Sequence, residues 1–218
     1  MSLPSWIQTI RALGWDLDGT LYPTSQELTR LIQKRQYQAV SEKMRWSLQR
    51  TRSEYEKRYL NLGSNTKTIS SFGIDGISFF TSAWDTIDLS VFIHRDERMV
   101  HMFDSLSSRR HFLISNSNRL DQIQKKLLLI GLQAEIFEVI VPTEELGEVK
   151  PDPAPFLFAL EKLRLPPEQT LFIGDRVSTD VMGASAVGMR TCRIGETTPS
   201  ADICIPSVYD ILLIFSDR

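Results

Sequence analysis

The stretch LGWDLDGTLYP, Leu13 to Pro23, decides the fold, because an apolar run ends here in two aspartates and a Gly-Thr pair. Such a run predicts a buried strand over residues 10–16 that gives way to a turn, with Asp16 and Asp18 where the chain leaves the sheet. Open α/β sheets bind their ligands outside the carboxyl ends of the strands. The stretch therefore predicts a functional site at the end of the first strand.

The chain that follows has a helical pattern. Apolar residues recur at three- and four-residue steps between Ile32 and Tyr59, and residues 25–62 contain neither glycine nor proline. We expect one long helix over 25–62, a loop over 63–78 and further helices after it. Residues 24–105 are therefore predicted to form an all-helical segment.

Beyond residue 105, strand and helix patterns alternate, which predicts a parallel sheet with helices on both faces. The predicted strands are HFLISNS, FEVIVP, TLFIGD and RTCRI, with a last short one in ADICIPS. The expected fold class is α/β, with a Rossmann-like core formed by residues 1–23 and 106–218. The all-helical segment 24–105 would be inserted after the first core strand.

The composition excludes several classes of protein. A chain of 218 residues, 42% of them hydrophobic, can bury a core large enough for an enzyme, and a net charge of -2 favours neither nucleic acid nor an acidic membrane surface. No stretch reaches the ~18 apolar residues of a membrane span, and the first residues lack a signal-peptide pattern, so we expect a soluble cytoplasmic protein. Cys192 and Cys204 have no metal-ligand spacing and are interpreted as reduced structural thiols.

Polar residues at the other strand ends indicate the chemistry of the site. Ser115 and Asn116 follow one strand, Lys150 follows the next, and Asp175 and Asp180 follow the third. With the two acids of the first strand they would bring four carboxylates to one edge, which repel one another unless a cation such as Mg²⁺ joins them. A lysine beside Mg²⁺ suits a phosphoryl group between them, whose oxygens Ser115 and the backbone N–H groups from Asn116 onward would hold.

The residues of the first stretch suggest a division of roles. A carboxylate whose charge is masked by a metal can attack phosphorus, and Asp16 suits that role. Asp18 suits the transfer of a proton to the leaving oxygen and later from water. Gly19 would let the backbone approach the phosphate and Thr20 would fix Asp18, with a plain turn or helix-cap role open for both. Tyr22 is a candidate for stacking on a base or sugar of the substrate.

Four short stretches resemble, in order, the four motifs of the haloacid dehalogenase-like hydrolase superfamily. The stretches are DLDGT, ISNS, VKPDP and GDRVSTD, and the resemblance covers roughly residues 10–218. The resemblance implies that Asp16 binds Mg²⁺ by its side chain and Asp18 by its backbone carbonyl. It also implies that Asp175 is a direct ligand. Asp180 would bind the metal through water or pair with Lys150.

In this resemblance the segment 24–105 corresponds to the C1 cap of the family, a lid that closes over the site. The sequence LDGTLYP and the mostly helical segment after it are similar to the pyrimidine 5'-nucleotidase-like and phosphoglycolate phosphatase-like branch. Gly19 stands where pyrimidine nucleotidases often have Asn, and Ser115 stands where many relatives have Thr. The hydroxyl is kept, so these departures bear on the substrate rather than on catalysis.

The expected function is a Mg²⁺-dependent phosphomonoester hydrolase that acts on a small soluble metabolite through an aspartyl phosphate. A nucleoside monophosphate is the first candidate substrate, and a sugar phosphate or phosphoglycolate is the second. A phosphomutase or a catalytically silent binding protein on the same scaffold remains an alternative, whereas a dehalogenase would not need Asp18. We expect no nucleic-acid polymer or membrane as a partner, and a monomer or small homo-oligomer.

Overall fold

The computed structural model describes residues 4–116 and 119–215. It divides into two compact units. The core unit comprises Met1–Pro23 and Ile93–Arg218, and the helical unit comprises Thr24–Phe92. None of the helices in the described ranges combines the length and the apolar character needed to cross a membrane.

The core unit contains a parallel sheet of six strands in the order β3-β2-β1-β4-β5-β6. The strands are β1 Ala12–Trp15, β2 Arg110–Ser115, β3 Phe137–Pro142, β4 Thr170–Gly174, β5 Arg190–Ile194 and β6 Ile203–Ile205. The chain runs outward from β1 to β3 on one side and from β4 to β6 on the other. The crevice beyond the carboxyl ends of β1 and β4 is therefore the topological switch point, where open α/β sheets bind ligands.

Four α-helices lie in the helical unit: α1 Gln26–Met44, α2 Leu48–Leu62, α3 Asn65–Ser70 and α4 Gly76–Asp85. The prediction of one helix over 25–62 is wrong, because the chain adopts a left-handed conformation at Arg45, with φ of 54°. A second helix starts after Ser47, whose side chain accepts a hydrogen bond from the backbone N–H of Arg50 at 3.3 Å. The predicted loop over 63–78 is wrong in part, since α3 and the start of α4 lie within it.

The core unit contains the α-helices α5 Glu97–Ser105, α6 Leu120–Ile130, α7 Pro153–Leu163, α8 Met182–Ala186 and α9 Leu212–Phe215. We expected the inserted segment to extend to residue 105, and this boundary is wrong. The hydroxyl of Tyr209 donates to Asp96 Oδ2 at 2.6 Å, and the guanidinium of Arg98 lies 4.5 Å from the Tyr209 ring centroid. These contacts join the start of α5 to the C-terminal part of the core unit.

Helices cover both faces of the sheet. On one face, Phe156 of α7 packs edge-on against Phe172 of β4, with ring centroids 5.1 Å apart. On the other face, Phe103 of α5 lies 5.1 Å from Trp15 of β1 and 5.1 Å from His111 of β2. All five side chains are buried, and this double cover makes the strand ends the accessible edge of the sheet.

Candidate active site

Three of the four predicted acids converge at the switch point. Asp16 follows β1, Asp175 follows β4, and Asp180 lies in a single π-helical turn, Val177–Val181. One carboxylate oxygen from each lies within 4.8 Å of the others. We call these three residues the acid cluster. Isolated π-helical turns are frequent at functional sites, and this one turns Asp180 back toward the strand ends.

Two glycines allow the acid cluster to close. A Cβ atom on Gly19 would lie 2.6 Å from Asp175 Oδ2, and φ at Gly19 is +99°. A Cβ atom on Gly174 would lie 2.5 Å from the Cγ atom of Asp180. Cβ atoms essentially never approach another heavy atom this closely, so a side chain at either position would displace the neighbouring carboxylate.

Lys150 neutralises part of the charge of the acid cluster. Its Nζ atom lies 2.7 Å from Asp16 Oδ1 and 2.7 Å from Asp180 Oδ1, and its side chain is 2% exposed. Burial acts to lower the pKa of Lys150, but the carboxylates of Asp16 and Asp180 outweigh it and hold this pKa above its usual value. The lysine is therefore a fixed cation between two acids.

The acid cluster contains more carboxyl groups than one lysine can balance when all are ionised. Burial raises the pKa of Asp16 to about 7; Lys150 opposes this rise and Asp180 adds to it. Burial also raises the pKa of Asp175, and the charge of Asp180 raises it further. Carboxyl groups with raised pKa values at one point are stabilised in their ionised form by a bound cation.

The donor set fits magnesium. Asp175 Oδ1 is buried and has no hydrogen-bond partner in the described parts of the chain. A buried carboxylate oxygen without a partner is costly unless a ligand satisfies it. Mg²⁺ prefers oxygen donors and is usually held by one or two carboxylates together with substrate phosphate and water.

Both oxygens of Asp16 are held in place. Thr20 Oγ1 donates to Asp16 Oδ2 at 3.1 Å, while Lys150 occupies Oδ1. We predicted that Thr20 would fix Asp18, and this is wrong. The backbone N–H of Thr20 donates to the carbonyl of Leu17 at 3.3 Å, and this tight turn carries the hydroxyl back over Asp16. The direction of the Asp16 carboxylate is thus set before any ligand binds.

The carboxylate of Asp18 stands apart from the acid cluster, although we expected four acids to gather. Lys126 Nζ lies 2.7 Å from Asp18 Oδ1, and the hydroxyl of Tyr22 donates to the same oxygen. Tyr22 is 8% exposed, and burial raises its pKa, with the charge of Asp18 adding to the effect. Tyr22 is therefore a partner of Asp18 rather than the stacking surface that we predicted.

The side chain of Asn116 holds the backbone of Lys150 in place. Its Oδ1 atom accepts hydrogen bonds from the backbone N–H of Lys150 and from Thr143 Oγ1, each at 2.9 Å. Its Nδ2 atom donates to the carbonyl oxygen of Lys150 at 3.2 Å. The amide group of Asn116 therefore links the end of β2 to the Lys150 backbone, and the contact of the Asn116 backbone N–H with a phosphate oxygen stays a prediction.

Ser115 is the last residue of β2 and is buried. Its partner in the neighbouring strand is Pro142, so Ser115 lies at the carboxyl edge of the sheet, as the sequence predicted. The backbone N–H groups of Ser117 and Asn118, which we expected to help hold phosphate oxygens, lie outside the described residues.

Lys126 is a residue of the site that our sequence reasoning missed. It lies on α6, whose buried side comprises Gln122, Ile123, Lys126, Leu127 and Ile130. Fully buried lysines are rare unless they are paired. A lysine that shares the helical spacing of the apolar residues is therefore the sequence pattern from which Lys126 could have been predicted.

The sequence pattern of the haloacid dehalogenase-like hydrolases matches residues 10–188 of the chain. The chain belongs to this family. A solved haloacid dehalogenase-type phosphatase from Thermococcus onnurineus superposes with a TM-score of 0.70 at 22% identity, covering 96% of this chain and 100% of the other. At this identity the likeness shows the fold.

Two curated relatives match shorter stretches of the chain. A glyceraldehyde 3-phosphate phosphatase from Methanopyrus kandleri is 39% identical over 70 residues, which are 32% of this chain and 30% of the relative. A phosphoglycolate phosphatase from Aquifex aeolicus is 34% identical over 91 residues, 42% of either chain. The chain thus spans less than half the length of the curated relatives that it matches.

Proposed function

We propose that this protein is a magnesium-dependent phosphatase that hydrolyses the phosphomonoester of a small metabolite through an aspartyl phosphate. The observation that carries the proposal is the environment of the Asp16 carboxylate. Asp16 lies in the acid cluster, and its two oxygens are held by Lys150 and Thr20. A second acid, Asp18, lies two positions along the chain and is held separately by Lys126 and Tyr22. Membership of the hydrolase family and the phosphatases among its relatives support this reaction class.

The acid cluster would hold Mg²⁺ by its carboxylates, together with the backbone carbonyl of Asp18, and the bound ion would neutralise charge on the phosphoryl group. Lys150 would contribute a second positive charge beside the phosphoryl oxygens, and the Ser115 hydroxyl would donate to one of them. These groups would together hold the phosphoryl group beside Asp16.

In the first step, an Asp16 oxygen attacks phosphorus, the bond from phosphorus to the leaving oxygen breaks, and Asp18 gives its proton to that oxygen. In the second step, Asp18 takes a proton from water while the water oxygen attacks the phosphorus of the aspartyl phosphate. The bond between phosphorus and Asp16 breaks, and free phosphate and the Asp16 carboxylate are regenerated. The separate positions of the two acids support these different tasks.

Sugar phosphates and phosphoglycolate rank ahead of nucleoside monophosphates as substrates in this proposal. Tyr22, the candidate for stacking on a base or sugar, is buried, and its hydroxyl is engaged with Asp18. The glyceraldehyde 3-phosphate and phosphoglycolate phosphatases among the relatives support the same order.

A substrate panel tests the reaction class. Phosphate release would be measured from phosphoglycolate, sugar phosphates, nucleoside monophosphates and p-nitrophenyl phosphate, with Mg²⁺ and with EDTA. We expect Mg²⁺-dependent release that falls by at least ~10³-fold in Asp16→Asn protein, because the amide cannot act as the nucleophile. Release that survives in Asp16→Asn protein or in EDTA would refute the proposed mechanism.

The helical unit is proposed to act as the cap that selects the substrate. Its position in the chain, inserted between Pro23 and Ile93 directly after the loop of Asp16 and Asp18, supports this role. Lids inserted at such points commonly exclude water and complete the site. Deletion of residues 24–92 should change the order of preference within the substrate panel, and an unchanged order would contradict the cap role.

A further inference from the structure

A buried lysine outside the family motifs contacts the second acid of the first motif. Lys126 Nζ lies 2.7 Å from Asp18 Oδ1, and 108 residues separate the two in the chain. The side chain of Lys126 is 3% exposed and that of Asp18 is 32% exposed. The cation is thus the buried partner, and the carboxylate is the one that reaches the accessible side.

Lys126 lies on the buried side of its helix, where a charged side chain is unusual. Helix α6 directs Ile123, Leu127 and Ile130 into the core unit, and Lys126 lies on this same buried side. Its neighbour Lys125 is exposed. Removing an ammonium group from water costs several kcal/mol, which only close pairing with an opposite charge offsets. The helix therefore carries a charge into the core unit at the point where Asp18 lies.

Two donors hold the Asp18 carboxylate by the same oxygen. Besides Lys126, the hydroxyl of Tyr22 donates to Asp18 Oδ1. The loop itself is closed by residue 22, since the backbone N–H of Gly19 donates to the carbonyl of Tyr22 at 3.0 Å and Asp18 forms a β-bridge with Tyr22. A carboxylate that accepts two hydrogen bonds at one oxygen cannot rotate freely about its Cβ–Cγ bond. Its second oxygen then points in a defined direction.

We propose that Lys126, with Tyr22, is a positioning residue that orients Asp18 for proton transfer to the leaving oxygen. This inference rests on the proposed phosphatase function and adds to it a residue from outside the four motifs. Lys126 neither touches the substrate nor transfers a proton. It fixes the geometry of the group that does, and misplacement of a reacting group by about 1 Å can cost ~10²-fold in rate.

The test compares two substrates of nearly the same shape, phenyl phosphate and p-nitrophenyl phosphate. Phenolate is a much stronger base than p-nitrophenolate, so its departure depends more on proton donation. The value of kcat/KM reports the steps up to loss of the leaving group. We expect Lys126→Met to lower kcat/KM by at least ~10-fold for phenyl phosphate and by less than ~3-fold for p-nitrophenyl phosphate.

Two further variants make the comparison specific. Lys125→Met removes the same charge from the exposed neighbouring position and should leave both values unchanged. Tyr22→Phe removes the other donor to Asp18 and should show the same unequal loss as Lys126→Met. If circular dichroism shows that Lys126→Met protein does not fold, the same comparison of the two substrates is made with Tyr22→Phe protein.

The outcomes separate this inference from the proposed function. Equal losses for the two substrates would mean that Lys126 acts through substrate binding or folding, and would overturn the inference while the phosphatase assignment stands. Unchanged kinetics in folded Lys126→Met protein would overturn it as well. Absence of Mg²⁺-dependent phosphate release from wild-type protein on every substrate would refute the proposed function, and the inference with it.

Discussion

Replacing Gly19 with alanine tests whether close packing at the first strand builds the metal site. A Cβ atom at this position would lie 2.6 Å from Asp175 Oδ2, whereas ordinary van der Waals contact begins near 3.4 Å. The difference, 3.4 − 2.6, means that the carboxylate must move by about 0.8 Å. Mg²⁺ demands near-ideal geometry with oxygen ligands at about 2.0–2.1 Å, so this displacement is large for a ligand.

Two effects contribute to the expected magnitude. Alanine at φ of +99° is strained, at a cost of about 1–2 kcal/mol in the free energy of unfolding. For a chain of this size that corresponds to a fall of roughly 2–8 °C in Tm. Separately, we expect the affinity for Mg²⁺ to fall by about tenfold or more, and each tenfold is worth about 1.4 kcal/mol.

Gly195 offers a matched control, because its φ is +107° and a Cβ atom there would have no neighbour within 4 Å. Gly195→Ala should therefore show the backbone strain without the clash. The assay is thermal unfolding with and without Mg²⁺ at about 100 times the wild-type Kd, where binding should stabilise the wild-type protein by about 2.7 kcal/mol. Gly19→Ala should lose about half of this gain or more, and Gly195→Ala should keep it.

Two results would refute the reasoning. Equal Mg²⁺-induced stabilisation in the wild-type and Gly19→Ala proteins would mean that Asp175 tolerates the added methyl group or does not bind the ion. Equal loss in both alanine variants would mean that general strain, rather than contact with Asp175, weakens the site.

Two other predictions concern buried charges in the core unit. Lys150→Met leaves Asp16 and Asp180 without the cation between them, so the free energy of unfolding in metal-free buffer should fall by about 3–5 kcal/mol, as measured in urea, while exposed Lys125→Met stays close to wild type. A loss in Lys150→Met no larger than that in the control would contradict this pairing. His111 accepts a hydrogen bond from Trp15 Nε1 and lies 3.1 Å from the carbonyl of Leu106, and burial lowers its pKa below 6.5. Because the unfolded chain then binds the proton more readily, the stability that neutral His111 contributes is present above pH 6.5 and is lost as the pH falls toward the folded-state pKa. An NMR titration that gives His111 a pKa at or above 6.5 would contradict this.

Much of the fold and part of the site could be predicted because they depend on local pattern. Apolar runs bounded by polar residues marked β1, β2, β3 and β4, and a parallel sheet brings all their carboxyl ends to one edge. Asp16 and Asp175 directly follow the neighbouring strands β1 and β4, so they were expected to lie near one another once the strands were recognised. The break in the first helix was missed because neither glycine nor proline marks it, and Arg45 adopts the left-handed conformation instead.

The sequence by itself determined the strands of the core unit and the strand ends at which the acids lie, since these follow from neighbouring residues along the chain. Tertiary structure decided which distant groups meet. It paired Asp18 with Lys126 and joined α5 to the core unit, whereas Thr20 and Tyr22 reach Asp16 and Asp18 through the local turn. The reason is that a buried charge pairs with whatever group packing brings within reach, and packing depends on residues that are distant in sequence.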